Sequence, residues 1–440
     1  MIQAVRNAMN LPDLRRKLFY TLLILVIYRL VAHVPVPGVN PEALQQLTGG
    51  ARQIFDLLDM LSGGAMARFS VMANGVYPYV TASIIMQLLQ PIIPALERLA
   101  MEGDAGRQKL NQWTYYLTIP LGLLQAIGQI RIINASATTP VLPNFGFSAE
   151  TILPTISVLI AMTAGTMFAI WLGELITEQG IGNGLSMIIF SGIVAGMPQN
   201  ILRTWTQAQG MEGGGVGMGV LMVGIFLAIM AITMFVIVVV QEGERRIPVQ
   251  YGKRVRGIKM YGGQSTHIPL RINTAGMIPL IFAQSFLAFP GMIAQFFVGG
   301  EGLAARIANG VVSFFDTRAP WYSVIYFLFV VGFTYFYTDV MIQQQDLPGA
   351  LKRQGGFIPG VRPGKRTADY INTIYRRITL VGALFLGGVA VLPFIVGLFM
   401  PASSLLISSS GLLIAVGVVL DTMRQLEAQL LMRHYEGFIG

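Results

Sequence analysis

The sequence predicts an all-α polytopic membrane protein of ten transmembrane helices. Three observations carry that prediction. Of the 440 residues, 54% are hydrophobic and only 12% are charged, whereas soluble globular proteins carry about 25% charged residues. The apolar residues gather in long runs, each near the roughly 20 residues that cross a hydrocarbon core. The basic residues are distributed unevenly between those runs, as membrane topology requires.

The runs lie near residues 18–34, 76–96, 114–133, 152–173, 184–202, 217–240, 272–298, 322–342, 378–400 and 403–423. Asp13, Arg15, Arg16 and Lys17 precede the first, and no small-residue cleavage site follows it, so it is expected to remain as a span. The Gly-rich run after the fifth marks residues 206–216 as a linker between an N-terminal half, 1–205, and a C-terminal half, 217–440. Five is odd, so two related halves would sit with opposite orientation, although no sequence repeat accompanies them. The Met400-Pro401-Ala402 turn alone separates the last two spans.

One set of segments holds 23 Lys and Arg: the N-terminus, the loops after spans 2, 4, 6 and 8, and the C-terminal tail. The opposite set holds Arg52, Arg68, Arg131, Arg203, Arg306 and Arg318, and Arg29 lies inside span 1. This bias places both termini in the cytoplasm. Fourteen of the 23 cations occupy two loops, 241–271 and 343–377. The first alternates like a strand and breaks at Tyr251-Gly252 as a hairpin would, with Lys253, Arg254 and Arg256 near its tip. The second contains GGFIPGVRPGKRTADY, a Gly/Pro turn carrying Arg362, Lys365 and Arg366. Enforcing topology needs far fewer cations, so both loops read as docking surfaces for an anionic or large partner.

The residues also exclude chemistry. Asp, Glu and Lys are absent from the middle of every span, where an ion-coupled transporter would carry ionisable groups. Glu174, Asp339 and Asp421 lie near span ends. His33, His267 and His434 are too scattered to predict a metal site, and there is no cysteine. GVRPGKRT has three residues between its glycines and Arg366 where a P-loop needs Ser or Thr. GIGNG at 180–184 reads as a turn at a helix start. No catalytic residue, cofactor or metal is expected, so the energy for moving cargo would come from a partner.

The stretch LSGGAMARFSVMANGVYPYV, residues 61–80, is too apolar for an exposed loop and too broken by Gly63, Gly64, Gly75 and Pro78 for a clean span. Irregular backbone at such depth is tolerated only when buried in protein or lining a watery cavity.

YPYVTASIIMQLL, GIGNGLSMIIFSGIVAG, YGGQSTHIPLRINTAGMIPLIFA, GGFIPGVRPGKRTADYI and RITLVGALFL together resemble the SecY family of protein-conducting channel subunits, in order and over nearly the whole chain. The resemblance implies a clam-shell of two inverted five-helix halves around an hourglass pore in the bacterial plasma membrane. Unfolded secretory polypeptides bearing signal sequences would pass through it, and transmembrane segments would leave sideways into the lipid bilayer. It implies the small membrane subunits SecE and SecG, and the motor SecA or the ribosome as the source of energy. It places a plug in 61–74, on Leu61, Ser62, Gly63, Gly64, Ala65, Met66, Ala67, Arg68 and Phe69, with a hinge at Gly75. The plug is expected to be a short helix of small residues that leaves its seat cheaply. The resemblance also implies a pore ring of Val80, Ile84, Ile189, Ile281 and Ile414, where Val80 is shorter than the isoleucine common there. A lateral gate would run through Ala82, Ser83, Gln87, Gly276, Ala283 and Ser285, small residues suited to a helix contact that opens. Arg254 and Arg362 match the family's partner-contacting arginines. The rival reading is a secondary transporter built on inverted repeats; the empty midplane and the large basic loops weigh against it.

Overall fold

The computed structural model describes residues 11–40, 43–44, 62, 65–136, 139–146, 148–209, 216–251, 254–256, 259–261, 265–295, 297, 302–315, 319–345, 347–362, 364–399 and 409–439. In chain order the helices are α1 (Pro12–Val31), α2 (Tyr77–Leu89), α3 (Pro94–Met101), α4 (Asp104–Ser136), α5 (Ile152–Gln179), α6 (Gly184–Gln209), α7 (Val216–Glu242), α8 (Ile278–Gln295), α9 (Leu303–Phe314), α10 (Pro320–Gln345), α11 (Leu347–Gln354), α12 (Lys365–Phe399) and α13 (Ser409–Ile439). Five strands follow α7 or precede α12: β1 (Glu244–Tyr251), β2 (Arg254–Arg256), β3 (Lys259–Tyr261), β4 (Ser265–Arg271) and β5 (Gly356–Phe357).

Five segments among the described residues are long and apolar enough to cross a membrane: Asp104–Asn134, Ile152–Gln179, Val216–Glu242, Trp321–Gln354 and Lys365–Ile395. Counting the bent pair Tyr77–Leu89 and Pro94–Met101 as one raises the number to six. Helices occupy each of the ten apolar runs, but with corrected bounds. The run 76–96 is not one straight span: it turns by 101° after α2. Pro94 explains the break, since the residue before a proline is pushed out of the helical region, and Ile93 is extended at φ −102°, ψ 111°. The run 272–298 starts its helix only at Ile278, after turns over 272–277. The run 378–400 belongs to a helix that begins at Lys365, so Lys365 and Arg366 lie in the first turn of α12 and not in a loop. Residues 400–408, between α12 and α13, lie outside the described residues.

The chain divides into two compact units. One comprises Met1–Val220, Ser285–Tyr322 and Ile414–Gly440; the other comprises Leu221–Gln284 and Ser323–Leu413. In the first, α5 and α6 approach at backbone distance, since a Cβ on Gly184 would fall 1.7 Å from the Gly173 carbonyl oxygen. Such small-residue contacts hold helices together where lipid removes the hydrophobic drive between them. The GIGNG turn sits here. Asn183 caps α6 through Oδ1, which accepts from Ser186 N–H at 3.1 Å, and Gly182 N–H donates to Gln425 Oε1 on α13 at 3.0 Å. Leu14, Ile181 and Leu426 close the same corner as a small buried cluster.

In the second unit, β1 pairs antiparallel with β4 from Glu244↔Arg271 to Gln250↔Ser265. The alternation along β1 buries Ile247 and Val249 and exposes their neighbours. Both pack with Leu270, Leu351, Ile358, Ile371 and Tyr375 into a core beneath the sheet.

Candidate functional site

Among the described residues of 61–74, the expected short helix of small, loosely held residues is not what is found. The regular part of the segment is a single 3-10 turn, Met66–Arg68. Phe69 and Met72 are 0% exposed and Met66 is 1% exposed. Met66, Phe69 and Ala73 join Val36, Ala126, Ile130, Ile133, Val158 and Met162 in one buried cluster of the first unit. Three large apolar side chains in a row of turns find more packing in a helix-lined pocket than small residues would. Val36 N–H donates to the Phe69 carbonyl and Val71 N–H to the Val34 carbonyl, both at 3.0 Å. The Val71 carbonyl rests on α5 at Gly165, where an added Cβ would lie 2.1 Å from its oxygen. Ser62 is buried, and its carbonyl accepts from the Tyr28 hydroxyl at 2.6 Å. Arg68 is exposed. Leu61, Gly63 and Gly64 lie outside the described residues, as does the side chain of Ala67. Gly75, with φ +53°, supplies the left-handed residue that redirects the chain into α2.

Helix α2 carries Val80, Ala82, Ser83, Ile84 and Gln87. Ala82 and Ile84 are buried, and Val80 is half-buried. Ser83 Oγ accepts from Gln87 Nε2 at 3.1 Å, which ties up both polar side chains along one helix face. Ile189 on α6 and Ile414 on α13 are buried in the same unit. Ile281 and Ala283 are buried in the other unit. Ser285 on α8 is buried, and its carbonyl accepts from the Tyr77 hydroxyl of α2 at 3.3 Å. Gly276 is not part of a helix packing surface. It lies in the turn before α8 at φ +64°, and an added Cβ there would meet nothing within 4 Å. Its glycine is demanded by backbone conformation, with the Asn273 side chain donating to its carbonyl at 3.0 Å.

The two basic loops form one module. β5 of the second pairs with β1 of the first, Gln250↔Phe357 and Tyr251↔Gly356. The Tyr251 hydroxyl donates to Gln354 Oε1 at 3.2 Å across the same junction. β2 and β3 form a separate hairpin beyond β1, with Arg254 opposite Tyr261 and Arg256 opposite Lys259. Lys253 lies outside the described residues. Arg362 is exposed in a turn bounded by Gly360 (φ +83°) and Gly364 (φ +110°). Its carbonyl accepts from Thr367 Oγ1 at 3.0 Å, and Val361 packs against the module core. The backbone under Arg362 is therefore fixed while its guanidinium faces solvent.

Gly356 makes the junction possible. A Cβ there would sit 3.0 Å from Tyr251 Cε1, 3.2 Å from Leu351 Cδ2 and 3.3 Å from Val249 Cγ1. Gly356→Val overpacks this point, which costs about 1–3 kcal/mol. Amide exchange at Gln250 and Phe357 should accelerate by about 5- to 150-fold, the same energy expressed as an opening equilibrium. Unchanged protection would show that the β1–β5 pairing does not hold the loops together.

Sequence reasoning missed the β5 pairing, the Tyr77–Ser285 bond and the placement of Gln125, whose amide donates to Thr81 Oγ1 at 3.4 Å inside the first unit. A two-residue strand is too short to show alternation. The other two join residues distant in sequence, which periodicity along one helix cannot pair.

Solved structures of similar fold define the class. Over 94% of its length the chain is similar to a solved SecY channel whose plug domain stabilises the closed state and maintains a membrane seal (TM-score 0.61, 18% identity, 91% of that chain covered). It is similar to the same extent to Sec61 in the canine ribosome–channel complex from the endoplasmic reticulum (TM-score 0.60, 18% identity, 94% and 91% covered). The fold is thus that of the protein-conducting channels. The SecY family model matches residues 70–423. The protein translocase subunit SecY of Halalkalibacterium halodurans is 43% identical over 442 residues, all of both chains. The chain belongs to the SecY family, the membrane-channel subunits of protein translocases.

Proposed function

We propose that the chain crosses the bacterial plasma membrane ten times, with both termini in the cytoplasm, and passes unfolded secretory polypeptides between two halves of five helices. The single observation that carries this is the basic module. Two loops distant in sequence are joined into one platform by strand pairing and a shared core, as a large cytoplasmic partner that delivers chains under power requires. SecA and the ribosome are the partners proposed for it, the latter supported by the canine neighbour. SecE and SecG are proposed as membrane subunits. Segment 61–74 seals the resting channel, Val80, Ile84, Ile189, Ile281 and Ile414 line its waist, and α2 and α8 part to release transmembrane segments. Branched aliphatic side chains suit a waist because they exclude water and ions yet offer a moving chain no hydrogen bonds. The test is translocation into vesicles carrying the purified channel: an unfolded polypeptide should enter only when motor and ATP are supplied. Entry of a small solute in place of the polypeptide would favour a transporter.

Ile281→Asn should let substrates with defective signal sequences through. Ile281 is buried. An amide held away from water without its hydrogen bonds costs about 1–3 kcal/mol, and in an open channel the same amide meets water. Closed is destabilised relative to open by a factor of about 5–150. A weak signal supplies little binding energy of its own and gains most. Export of reporters with crippled and intact signals measures this; an equal loss for both would make Ile281 a packing residue.

A further inference from the structure

Helix α9 turns its small residues inward and its large apolar ones outward. Ala305 and Ala308 are buried, and Val312 beside them is half-buried. At about 100° per residue, Leu303, Ile307 and Phe314 fall within about 40° of arc on the opposite face. They are 76%, 59% and 49% exposed. Arg306, Asn309 and Ser313 form a third stripe, also exposed, which holds every polar side chain of the helix. A helix that met water on its outer side would carry its polar residues there.

The apolar stripe of α9 runs on into α10. The Phe314 ring stacks on Trp321 with centroids 6.5 Å apart and 27° between planes. Trp321 Nε1–H donates to the Phe314 carbonyl at 3.0 Å, satisfying one of the carbonyls that a helix C-terminus leaves open. Trp321 also begins a segment, Trp321–Gln354, long and apolar enough to cross a membrane. Along α10 the exposed residues Trp321, Val324 and Leu328 follow at i, i+3 and i+7, one face of the helix. The exposed stripes of α9 and α10 thus meet at an aromatic pair, and aromatic rings gather where a span leaves the hydrocarbon for the headgroups.

We propose that α9 is an interfacial helix lying along the outer surface of the bilayer. Leu303, Ile307 and Phe314 sit among the upper acyl chains of phospholipid, while Arg306, Asn309 and Ser313 face water and the phosphates. This rests on the reading that α10 crosses the membrane from the outer side. Lipid is the occupant because the stripe continues a face that the membrane already covers. The polar flank agrees in charge: its one ionisable group is Arg306, the helix has no acidic residue, and a guanidinium pairs with phosphate through its planar fork. An amphipathic helix with this division lies in the interface plane and does not span. So held, α9 fixes the depth at which α10 enters the bilayer.

Depth measurements in the full chain, reconstituted in phospholipid vesicles, test this. The chain has no native cysteine, so Ile307→Cys, Asn309→Cys and Leu328→Cys each place one nitroxide. Collision with oxygen, which enters lipid, and with a water-soluble nickel chelate, which does not, reports the depth of each. The label at 307 should lie about 5–10 Å below the headgroup boundary, the label at 309 in water, and the label at 328 deeper than both. If 307 and 309 report the same medium, water or lipid, α9 has no membrane-facing side and the proposal is wrong; 328 in lipid then keeps the span of α10. If 328 is in water as well, the spanning reading of α10 fails and takes the proposal with it. A label at 307 shielded from both agents is covered by protein, a second copy or a partner, and overturns the lipid assignment. Should a variant not accumulate, the native chain decides. A phospholipid with a diazirine high in its acyl chain should label residues 303–314 on irradiation, and labelling of α10 without α9, or of neither, overturns the proposal.

Discussion

Arg362→Glu is expected to lower motor-driven translocation by about 30-fold or more while leaving the protein abundant and inserted. Arg362 stands exposed on a turn whose backbone is fixed by Gly360, Gly364 and the Thr367 hydroxyl. None of those supports uses the guanidinium, so the turn should survive the change. Arginine's planar fork binds carboxylate or phosphate through two parallel bonds, so one side chain serves an acidic protein patch and an RNA backbone alike. Losing one partner of a desolvated charge pair costs about 2–5 kcal/mol, and 2 kcal/mol is already about 30-fold. Glutamate adds repulsion to that loss. Translocation and membrane abundance are measured side by side. Arg362→Ala should fall between wild type and Arg362→Glu, because it removes attraction without adding repulsion. Normal translocation with Glu at 362 would remove the docking role from this turn.

The second large effect separates two deletions within the segment that precedes α2. Removing 61–68 should leave a folded channel that conducts ions at rest, because it removes most of the proposed seal and keeps the bridge to 34–36. Removing 61–74 should cost most of the folded protein. That longer deletion takes away Phe69 and Met72, both 0% exposed, and the bonds to Val34, Val36 and Gly122. Emptying a buried Met or Phe site costs about 2–5 kcal/mol each, which is comparable with the whole stability of an ordinary domain. Resting conductance in planar bilayers reads the first variant, and membrane abundance with protease resistance reads both. A shorter deletion as tight as the parent would take the sealing role away from 61–68. Full abundance after the longer deletion would show that residues 69–74 are dispensable to packing.

The contrast between those deletions shows what was legible. The apolar runs announced the helices, because a membrane span must be apolar along its whole length and each residue contributes alone. The bounds were less legible where proline and glycine act: Pro94 breaks the second run, and Gly276 shapes a turn where packing was expected. The basic loops were legible as charge, but their union was not. Val249, Leu351 and Ile358 come from both loops and bury one another, and no window of sequence contains all three. Segment 61–74 was recognisable as irregular and apolar from its glycines, and as a plug only through family motifs. The seat at Gly165, nearly 100 residues away, has no signature beyond a glycine in an apolar helix.

By itself the sequence determined class, family and charge placement. Composition and hydropathy act residue by residue, and the motifs stand whole within short windows. Only the tertiary structure decided which residues share a seat: Pro35 against Ser70, Val71 on Gly165, β5 on β1. These are pairings of backbone groups, and the glycines that permit two of them, Gly165 and Gly356, carry no mark of the partner they will meet. A carbonyl is the same on every residue, so the partner it finds is settled by how the helices around it pack.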